Sequence, residues 1–315
     1  MYITVILCTY NRCRSLAKAL ESASAIRLPE SIEWEVLVVD NNSRDQTRET
    51  VKKFCDRHPG RFRYLFEPMQ GKSHALNTGI REARGDVLAF MDDDVTVDSE
   101  WLLHLTAALH SGEWAGAGGR ILPERTIPFP RWLLPEGPHT AAPLALFDRG
   151  LQAGPLTESP FGTNMAFQKK MFEKYGMFRI DLGPRPGSEI RSEESEFASR
   201  LLAGGERLRY EPSAVVYHEM SPARLQQRYF LRWWFDKARA KILVSGVPLD
   251  TRFFIAGVPL YLFRRLGMWA VRWITSIDPS VRFESKVSLW GVAGEIVECY
   301  RLSHEQERQK PVESR

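Results

Sequence analysis

The sequence has few cysteines and no long apolar run, and both absences restrict what the protein can be. Its 315 residues include four cysteines, none in a C-x-x-C spacing. Neither a disulfide framework nor a zinc site is therefore indicated, and a reducing compartment fits best. No apolar stretch reaches the roughly 18 residues that span a bilayer, because Arg264 and Arg265 interrupt the best candidate. The N-terminus lacks a basic region followed by an apolar region and a cleavage site, so we expect no secretory signal.

Short apolar segments alternate with helix-like segments through residues 1–120. The predicted strands are Ile3 to Leu7, Trp34 to Val39, Arg63 to Phe66 and Val87 to Met91, and the predicted helices are Ser15 to Ala25, Asp45 to Cys55 and Ser73 to Ala83. This alternation predicts βαβ units in a mostly parallel sheet, an α/β fold. Ligands of such sheets bind outside the carboxyl ends of the strands.

Polar residues follow each predicted strand and should meet at that edge. They are Thr9, Asn11 and Arg12 after the first strand, Asp40, Asn41 and Asn42 after the second, Glu67 and Gln70 after the third, and Asp92, Asp93 and Asp94 after the fourth. The three adjacent carboxylates need a counter-charge, which indicates a hard divalent cation. The alternative is a helix N-cap with solvated neighbours.

This edge has the chemistry of a nucleoside diphosphate site. Asp40 can accept the imide N–H of uracil or a ribose hydroxyl. Thymine presents the same imide edge, while guanine needs different partners. Arg12 or Lys72 can add charge-assisted contacts to a metal-bound diphosphate. Alternatively, the two asparagines after Asp40 form a turn with Asp45 that caps the next helix.

Four ordered motifs resemble the N-terminal half of family 2 glycosyltransferases of GT-A fold, of the bacterial, membrane-associated type. They are VILCTYNR, VLVVDNNSRDQT, QGKSHALNTGI and GDVLAFMDDDVTVDSEWL. Downstream, FGTNMAFQKKMFEKYGMF resembles the family's acceptor-side strand and helix, SEESEFASRLLAGG its E-D-x-[DE] helix start, and YEPSAVVYH its final strand. The resemblance covers residues 1–220.

The resemblance implies a role for each matching residue. Asp94 would hold Mn²⁺ or Mg²⁺, with His218 as a further ligand where the family has one. Asp40 would contact the nucleobase, Asp92 the ribose or diphosphate, and Glu194 would be the catalytic base. The implied donor-binding residues are Thr9, Tyr10, Asn11, Arg12, Asp40, Asn42, Lys72, Asn77, Asp92 and Asp93. The implied acceptor-side residues are Thr163, Asn164, Glu193 and Glu196.

Two of these roles have open alternatives. The family usually has Asp where this chain has Glu194, and Glu193 and Glu196 compete with it for the role of base. Glu196 aligns with the family's second acid, which can bind acceptor or support the helix start. All three carboxylates can also simply favour the N-terminus of a helix. His218 can be a structural histidine at the end of its strand.

Residues 121–160 contain eight prolines. This density forbids a long helix and predicts an extended excursion that shapes the acceptor pocket. Disorder is the alternative.

The C-terminal region has a different composition. Ser221 to Thr275 contains ten Lys and Arg residues but two Asp. Arg224, Arg228 and Arg232 recur every four positions opposite an aromatic stripe, which predicts a basic amphipathic helix on an anionic membrane surface. A second stretch, FFIAGVPLYLFRRLGMWAVRWITSI, should lie in the interface or pack as a helical hairpin. The alternative is ordinary core helices with solvated arginines.

These expectations combine into one function. A GT-A domain, residues 1–220, has a nucleotide-binding half at 1–120 and an acceptor half at 121–220, and a helical region follows at 221–315. A carboxylate base opposite a metal-held leaving group describes a single displacement with inversion. We expect an inverting hexosyltransferase that moves a sugar from a UDP-sugar to a glycan or lipid-linked acceptor in cell-surface polysaccharide synthesis. It should be peripheral on the cytoplasmic face of the plasma membrane.

Other functions fit the sequence less well. A nucleotidyltransferase needs a glycine-rich, basic loop after its first strand, but CTYNRCRS has no glycine. A processive synthase needs membrane-spanning helices and a Q-x-x-R-W motif, and QQRYFLRWW has those letters in another spacing. Nucleic-acid binding lacks a motif and a strongly basic domain. A non-catalytic sugar-binding or nucleotide-binding module is the alternative if the carboxylates bind no metal. The sequence does not indicate the sugar, the acceptor or the oligomeric state.

Overall fold

The structure is a computed structural model that describes residues 1–126, 128–249 and 251–309, with side chains described as far as residue 305. Within these residues the chain divides into two compact units. Unit 1 takes in the described parts of residues 1–127, 145–187 and 193–220, and unit 2 those of 128–144, 188–192 and 221–315. Residues 128–144 and 188–192 thus group with the C-terminal helices rather than with the sheet.

The elements follow one another along the chain as strands β1 to β11 and helices α1 to α9. The strands are β1 (Tyr2–Thr9), β2 (Glu33–Asp40), β3 (Phe62–Phe66), β4 (Val87–Asp92), β5 (Val95–Val97), β6 (Gly116–Pro123), β7 (Gly154–Leu156), β8 (Met165–Gln168), β9 (Leu208–His218), β10 (Phe254–Ile255) and β11 (Val258–Pro259). The helices are α1 (Cys13–Ser24), α2 (Thr47–Arg57), α3 (Lys72–Glu82), α4 (Trp101–Ala107), α5 (Lys170–Tyr175), α6 (Glu193–Ala203), α7 (Gln227–Ser245), α8 (Leu260–Thr275) and α9 (Pro279–Gln309).

The first four strands run parallel in the order β3-β2-β1-β4 and alternate with α1, α2 and α3. All the predicted elements of this region are present, with ends that differ from the predictions by at most two residues. β1, β2 and β4 carry mostly apolar runs whose middle residues are fully buried, whereas the middle residues of β3 are half-buried. Such runs are typical of parallel strands that helices cover on both faces.

The rest of the sheet is mixed. β8 runs antiparallel to β4 and to β6, and β6 runs parallel to the long strand β9, which also pairs with β5 and β7. These pairings complete a sheet of nine strands within the described residues. Because the parallel ladders are the longer ones, the sheet is mostly parallel. The predicted α/β class, a mixed, mostly parallel sheet flanked by helices, is confirmed.

The strand register places the site residues abreast. Thr9 at the end of β1 pairs with Asp40 at the end of β2, and Cys8 pairs with Asp92 at the end of β4. The backbone N–H of Glu67, directly after β3, donates to Asp40 O at 2.9 Å. The polar residues after all four strands therefore lie along one edge of the sheet, where ligands of open α/β sheets bind.

The proline-rich segment contains no α-helix among its described residues, as the sequence predicts. Ile127 lies outside the described residues. Leu133 and Leu144 are buried within unit 2, while Phe147 pairs with Ile121 in unit 1. The segment is thus packed along much of its length.

Unit 2 consists of α7, α8 and α9, the β10–β11 hairpin and the two short segments named above. Arg224 lies in the 3₁₀ turn Pro222–Leu225 that precedes α7, so the predicted three-arginine helix face is wrong for this residue. The predicted aromatic stripe is also not a free face. Tyr229 Oη donates to Pro143 O at 3.0 Å, and Trp234 Nε1 donates to His139 O at 3.1 Å. Packing against residues 128–144 thus gives the polar ends of these two half-buried aromatic side chains hydrogen-bond partners.

Helix α8 is different. Leu262 is its one fully buried residue, whereas Met268, Val271 and Ile274 are more than half exposed. Among the described residues, no helix combines the length and the apolar character needed to cross a bilayer.

Candidate active site

Lys72, the first residue of α3, lies at the centre of a group of polar side chains that we call the Lys72 cluster: Lys72, Asp92, Thr163, Glu193 and Glu194. Lys72 Nζ is 3.0 Å from Asp92 Oδ1 and 3.3 Å from Glu194 Oε1. It is 4.0 Å from Glu193 Oε1. The Thr163 hydroxyl donates to the other Asp92 oxygen at 2.6 Å. The cluster therefore joins the end of β4 to the start of α6.

The Lys72 cluster has three carboxylates and one lysine, and burial determines which carboxylate is protonated. Burial raises the pKa of Glu193 to about 8, and the adjacent Glu194 carboxylate adds to the rise while Lys72 opposes it. Burial also acts to raise the pKa of Asp92, but Lys72 holds that pKa below its ordinary value. The Glu193 side chain is 1% exposed and farther from Lys72, whereas that of Glu194 is 15% exposed. Glu193 is thus the acid that keeps its proton at pH 7, and Glu194 is the more exposed of the two and the nearer to Lys72.

A second group, the Arg12 cluster, consists of Thr9, Arg12, Asp93, Asp94 and His218. Arg12 Nη1 is 3.0 Å from both Asp93 Oδ1 and Asp94 Oδ2. The Thr9 hydroxyl donates to Asp93 Oδ2 at 2.7 Å, and burial raises the pKa of Asp93 to about 6 although Arg12 opposes it. Arg12 and Lys72 therefore supply counter-charge that the sequence analysis assigned to a metal alone.

Asp94 and His218 are the residues of this cluster whose chemistry fits a divalent cation. His218 ends β9, its side chain is buried, and its Nε2 lies 3.6 Å from Asp94 Oδ1. In the part of the chain that the structure describes, no group of three or more His, Cys, Asp or Glu side chains could hold a metal by itself. Mg²⁺ and similar ions need fewer, because one or two protein ligands suffice when substrate phosphates and water complete the shell. One carboxylate beside one imidazole meets that requirement.

Asp40 occupies the edge of the sheet beside these clusters. Its carboxylate accepts the Ser43 N–H and the Tyr64 hydroxyl, both at 2.9 Å. Burial, followed by the hydrogen bond to Asp40, raises the pKa of Tyr64 to about 12. The Asp40 side chain is buried, and each of its two oxygens accepts one of these hydrogen bonds. The carboxylate is therefore held in one orientation.

The loops after β1 and β2 hold each other in place. Asn11 and Asn42 both adopt left-handed backbone conformations, with φ of 51° and 66°. The Asn11 side chain accepts the Arg44 N–H at 2.7 Å. Asp45 accepts the backbone N–H of Cys13 at 2.9 Å and that of Thr47, at the start of α2, at 3.1 Å. The turn-and-cap alternative thus describes Asp45.

Asn41 and Tyr10, which lie on the same loops, face different environments. The Asn41 amide is buried and binds Met69 O and the Gly71 N–H at 2.7 and 2.8 Å, so it anchors the loop before α3. Tyr10 is 44% exposed.

Three further predicted site residues, Asn77, Asn164 and Glu196, also lie outside both clusters, and each has structural partners. Both ends of the Asn77 amide bind the backbone of Phe178, at 2.9 and 3.1 Å. The Asn164 amide is fully buried, donates to the carbonyls of Arg120 and Ala214, and accepts the Trp101 indole N–H, each at 2.8 Å.

Glu196 binds Arg200 through two hydrogen bonds of 2.9 and 3.0 Å. Arg200 in turn donates to the carbonyls of Tyr175 and Met177. We call this arrangement the Arg200 clamp. Its bidentate geometry is typical of a structural ion pair.

The sequence analysis missed Gly162, which lies against the Glu194 carboxylate. A Cβ at this position would collide with Glu194 Oε1. The residue stands in the FGTN motif next to Thr163, but no spacing rule relates it to a residue of α6. Only the tertiary structure shows that its missing side chain leaves room for the carboxylate.

The chain is similar in sequence to known proteins. The sequence model described as Glycosyl transferase family 2 matches residues 4–176. The succinoglycan biosynthesis protein ExoM of Rhizobium meliloti (strain 1021) is 27% identical over 235 residues, which cover 74% of this chain and 70% of ExoM.

Two solved structures extend the comparison. The mannosyltransferase PcManGT from Pyrobaculum calidifontis, in complex with GDP-Man and Mn²⁺, is similar with a TM-score of 0.56 at 18% identity, over 97% of this chain and 78% of that one. S. aureus TarS 1-349, in complex with UDP-GlcNAc, has a TM-score of 0.52 at 16% identity, over 98% of this chain and 92% of that one. These similarities confirm the predicted GT-A fold.

Proposed function

Because the chain belongs to glycosyl transferase family 2, we propose that it transfers a sugar from a UDP-sugar to an acceptor hydroxyl, with inversion at the anomeric carbon. One observation carries the proposal. Lys72 joins Asp92, at the edge where ligands of α/β sheets bind, to Glu194 at the start of α6. A group that can bind the donor and a group that can take the acceptor proton are therefore neighbours.

The donor would lie along the edge formed by β1, β2 and β4. Asp40 would accept from the nucleobase, with Thr9, Tyr10, Asn11 and Asn42 around it. Because TarS was solved with UDP-GlcNAc and PcManGT with GDP-Man, the fold accommodates more than one base in its relatives. The buried Asp40 carboxylate favours the imide N–H of uracil here.

Asp92 of the Lys72 cluster would contact the ribose or the metal-bound diphosphate, and the cations Arg12 and Lys72 would contact the diphosphate. Asp94 and His218 would hold Mn²⁺ or Mg²⁺, which when bound neutralises charge that develops on the leaving diphosphate. PcManGT, which is similar in fold, was solved with Mn²⁺, and this supports a divalent metal here. Arg12 contacts Asp94 Oδ2, so its guanidinium would share that carboxylate with the ion or move to the phosphates.

Glu194 would remove the proton from the acceptor hydroxyl. Its Oε1 lies 3.3 Å from Lys72 Nζ, whereas the proton on Glu193, whose pKa burial raises to about 8, leaves that acid unsuited to act as a base at neutral pH. Glu196 is committed to the Arg200 clamp. A single carboxylate base supports a single displacement, and hence inversion.

The test is a thermal-shift panel of UDP, dTDP and GDP with Mn²⁺, with Mg²⁺ and with chelator. UDP with metal should stabilise the protein most, by about 2.7 kcal/mol at 100 times its Kd. Asp94→Ala should abolish the metal dependence, while Asp56→Ala, on the exposed end of α2, should keep it. Equal UDP binding in chelator contradicts the metal assignment, and a larger shift with GDP contradicts the uracil assignment.

We also propose that unit 2 rests on an anionic membrane surface, which would suit a glycan or lipid-linked acceptor and a peripheral position on the cytoplasmic face of the plasma membrane. The exposed apolar residues of α8 and the exposed Arg228 and Arg232 of α7 support this. Wild type should sediment with anionic vesicles at low salt and less at high salt, and the Arg228→Ala/Arg232→Ala variant should sediment less. Wild type in the supernatant at low salt contradicts the proposal.

A further inference from the structure

Unit 2 contains a cavity of about 410 Å³ that the proposed transfer reaction does not use. It is lined by α7, α8 and α9, together with His139 from the proline-rich segment. Its volume falls in the range of pockets that bind small ligands, about 300–1,000 Å³. All of its lining residues belong to unit 2.

The charges that line the cavity are mainly positive. Its titratable lining residues within the described chain are three cations, Lys237, Lys241 and Arg265, one carboxylate, Glu295, and His139. Glu295 is buried and accepts hydrogen bonds from Lys241 and Arg265, at 2.8 and 2.9 Å. Lys237 Nζ donates to Ser192 Oγ at 3.0 Å. The lining residues thus include three cations and one carboxylate. A wall with this surplus attracts an anion and offers it charge-assisted hydrogen bonds.

His139 adds a polar atom without adding charge. Burial lowers the pKa of its imidazole, so the ring is neutral at pH 7. Its Nδ1 is buried and has no hydrogen-bond partner among the described residues. Buried polar atoms are rarely left in this state, and a hydroxyl or phosphate in the cavity can satisfy this one.

The cavity also has an apolar side that continues onto an exposed surface. Trp234 and Trp269 line it together with Val287 and Val292. Arg265 and Trp269 are four residues apart and thus on one face of α8. The neighbouring face presents the exposed Met268 and Val271. An apolar patch beside a cationic cavity suits a ligand with a charged head and an apolar chain.

We propose that this cavity binds the phosphate group of a lipid, with the guanidinium of Arg265 and the ammonium groups of Lys237 and Lys241 around the phosphate. The apolar chain then leaves along the exposed side of α8. This extends the proposed membrane contact of unit 2 and is independent of the sugar donor and of Glu194. Free phosphate has the same charge, so the apolar chain distinguishes the two ligands.

The test is calorimetric titration of the full chain with farnesyl phosphate, inorganic phosphate and farnesol. Farnesyl phosphate should bind at least about tenfold more tightly than either of the others, since it alone combines charge with an apolar chain. If inorganic phosphate binds as tightly, the cavity is a free-anion site, and if farnesol does, the cations are not used. Either result overturns the proposal.

Two adjacent arginines of α8 provide a matched pair. Arg265 lines the cavity and Arg264 does not. Arg265→Gln should weaken farnesyl phosphate binding by about tenfold or more, while Arg264→Gln should change it less than about twofold. Sedimentation with anionic vesicles, in contrast, should fall by a similar amount in both variants. Equal loss of farnesyl phosphate binding in both variants overturns the cavity assignment, even if vesicle binding holds.

The Glu295→Gln variant distinguishes a loss of binding from a loss of folding. This change frees Lys241 and Arg265 from their carboxylate partner, so farnesyl phosphate should bind several-fold more tightly than to wild type. Misfolding cannot tighten binding. Unchanged or weaker binding by a variant with the wild-type circular dichroism spectrum overturns the role of the cations.

Discussion

The first turn of α6 supplies carboxylates to two regions of unit 1 that treat charge differently. In the Arg200 clamp, Glu196 meets one guanidinium in a bidentate pair, and the remaining donors of Arg200 bind backbone carbonyls. In the Lys72 cluster, Glu193 and Glu194 share one ammonium group with Asp92. In the Arg200 clamp one carboxylate meets one cation, whereas in the Lys72 cluster three carboxylates meet one cation.

This difference supports the different roles proposed above for carboxylates of one helix. When one carboxylate pairs with one guanidinium and the guanidinium donors are all bonded, neither group is available to a substrate. Removal of one partner then affects the stability of the fold. A cluster with more acids than cations must hold a proton or attract another cation, and such groups are typical of active sites. The comparison favours Glu194 over Glu196 as the base on physical grounds.

The largest expected effect comes from exchanging the two carboxylates for amides in turn. Glu194→Gln should bind the nucleotide sugar as wild type does but lower kcat by about 100-fold or more, because only proton abstraction is lost. Glu196→Gln should keep kcat within about threefold and instead lower the free energy of unfolding by roughly 1–3 kcal/mol. Steady-state kinetics and thermal denaturation of both variants measure this. A Glu196→Gln enzyme that is stable but inactive would reverse the assignment.

A smaller effect is expected from two glycines with different neighbours. A Cβ at Gly162 meets the flexible end of Glu194, whereas a Cβ at Gly119 meets the backbone oxygen of Ala214 and the Asn164 amide. Gly162→Ala should therefore displace the Glu194 carboxylate and lower kcat by about tenfold with little change in Tm. Gly119→Ala should destabilise the fold by about 1–3 kcal/mol. Unchanged kcat in Gly162→Ala argues against Glu194 as the base.

The smallest effect concerns the proton on Glu193. Its pKa is about 8 in the folded protein against an ordinary value of 4.5, so between these values the folded state holds a proton that the unfolded state has lost. The free energy of unfolding should fall as pH rises through this window and level off above about pH 8. Glu193→Gln has no proton to lose at this position, so its stability should not fall in this window. Its Tm relative to that of wild type should therefore be highest near pH 9, by about 2–4 °C.

Thermal denaturation of Glu193→Gln and wild type at pH 5, 7 and 9 tests this. Glu67→Gln is the control, since Glu67 is a buried carboxylate outside the cluster. A Tm difference between Glu193→Gln and wild type that is constant across pH shows that Glu193 is charged in the fold.

The parallel half of the sheet was readable from the sequence because its signals are local. Apolar runs such as Val36–Val39 and the polar residues that end them lie within single elements. The same reasoning was less successful for the C-terminal region. The three-arginine periodicity predicted one helix face that includes Arg224. Pro222 instead begins a 3₁₀ turn that contains Arg224, and helix α7 begins only at Gln227.

The roles of single residues were also only partly readable from the sequence. Asn77 and Asn164 stand inside matching motifs, yet each amide is used by backbone groups from distant parts of the chain. Nothing in the local sequence distinguishes an amide that binds a ligand from one that fastens a loop, because both need the same donor and acceptor.

The sequence by itself determined the βαβ order, the edge at which the aspartates emerge and the family to which the chain belongs, since these depend on periodicity and on motifs of adjacent residues. Only the tertiary structure decided which carboxylates share a cation. Lys72 and Glu194 are 122 positions apart, and Arg12 and Asp93 are 81 apart. Electrostatic interactions act through space and depend on burial, so the charge of each acid at the site is set by neighbours that the chain order does not reveal.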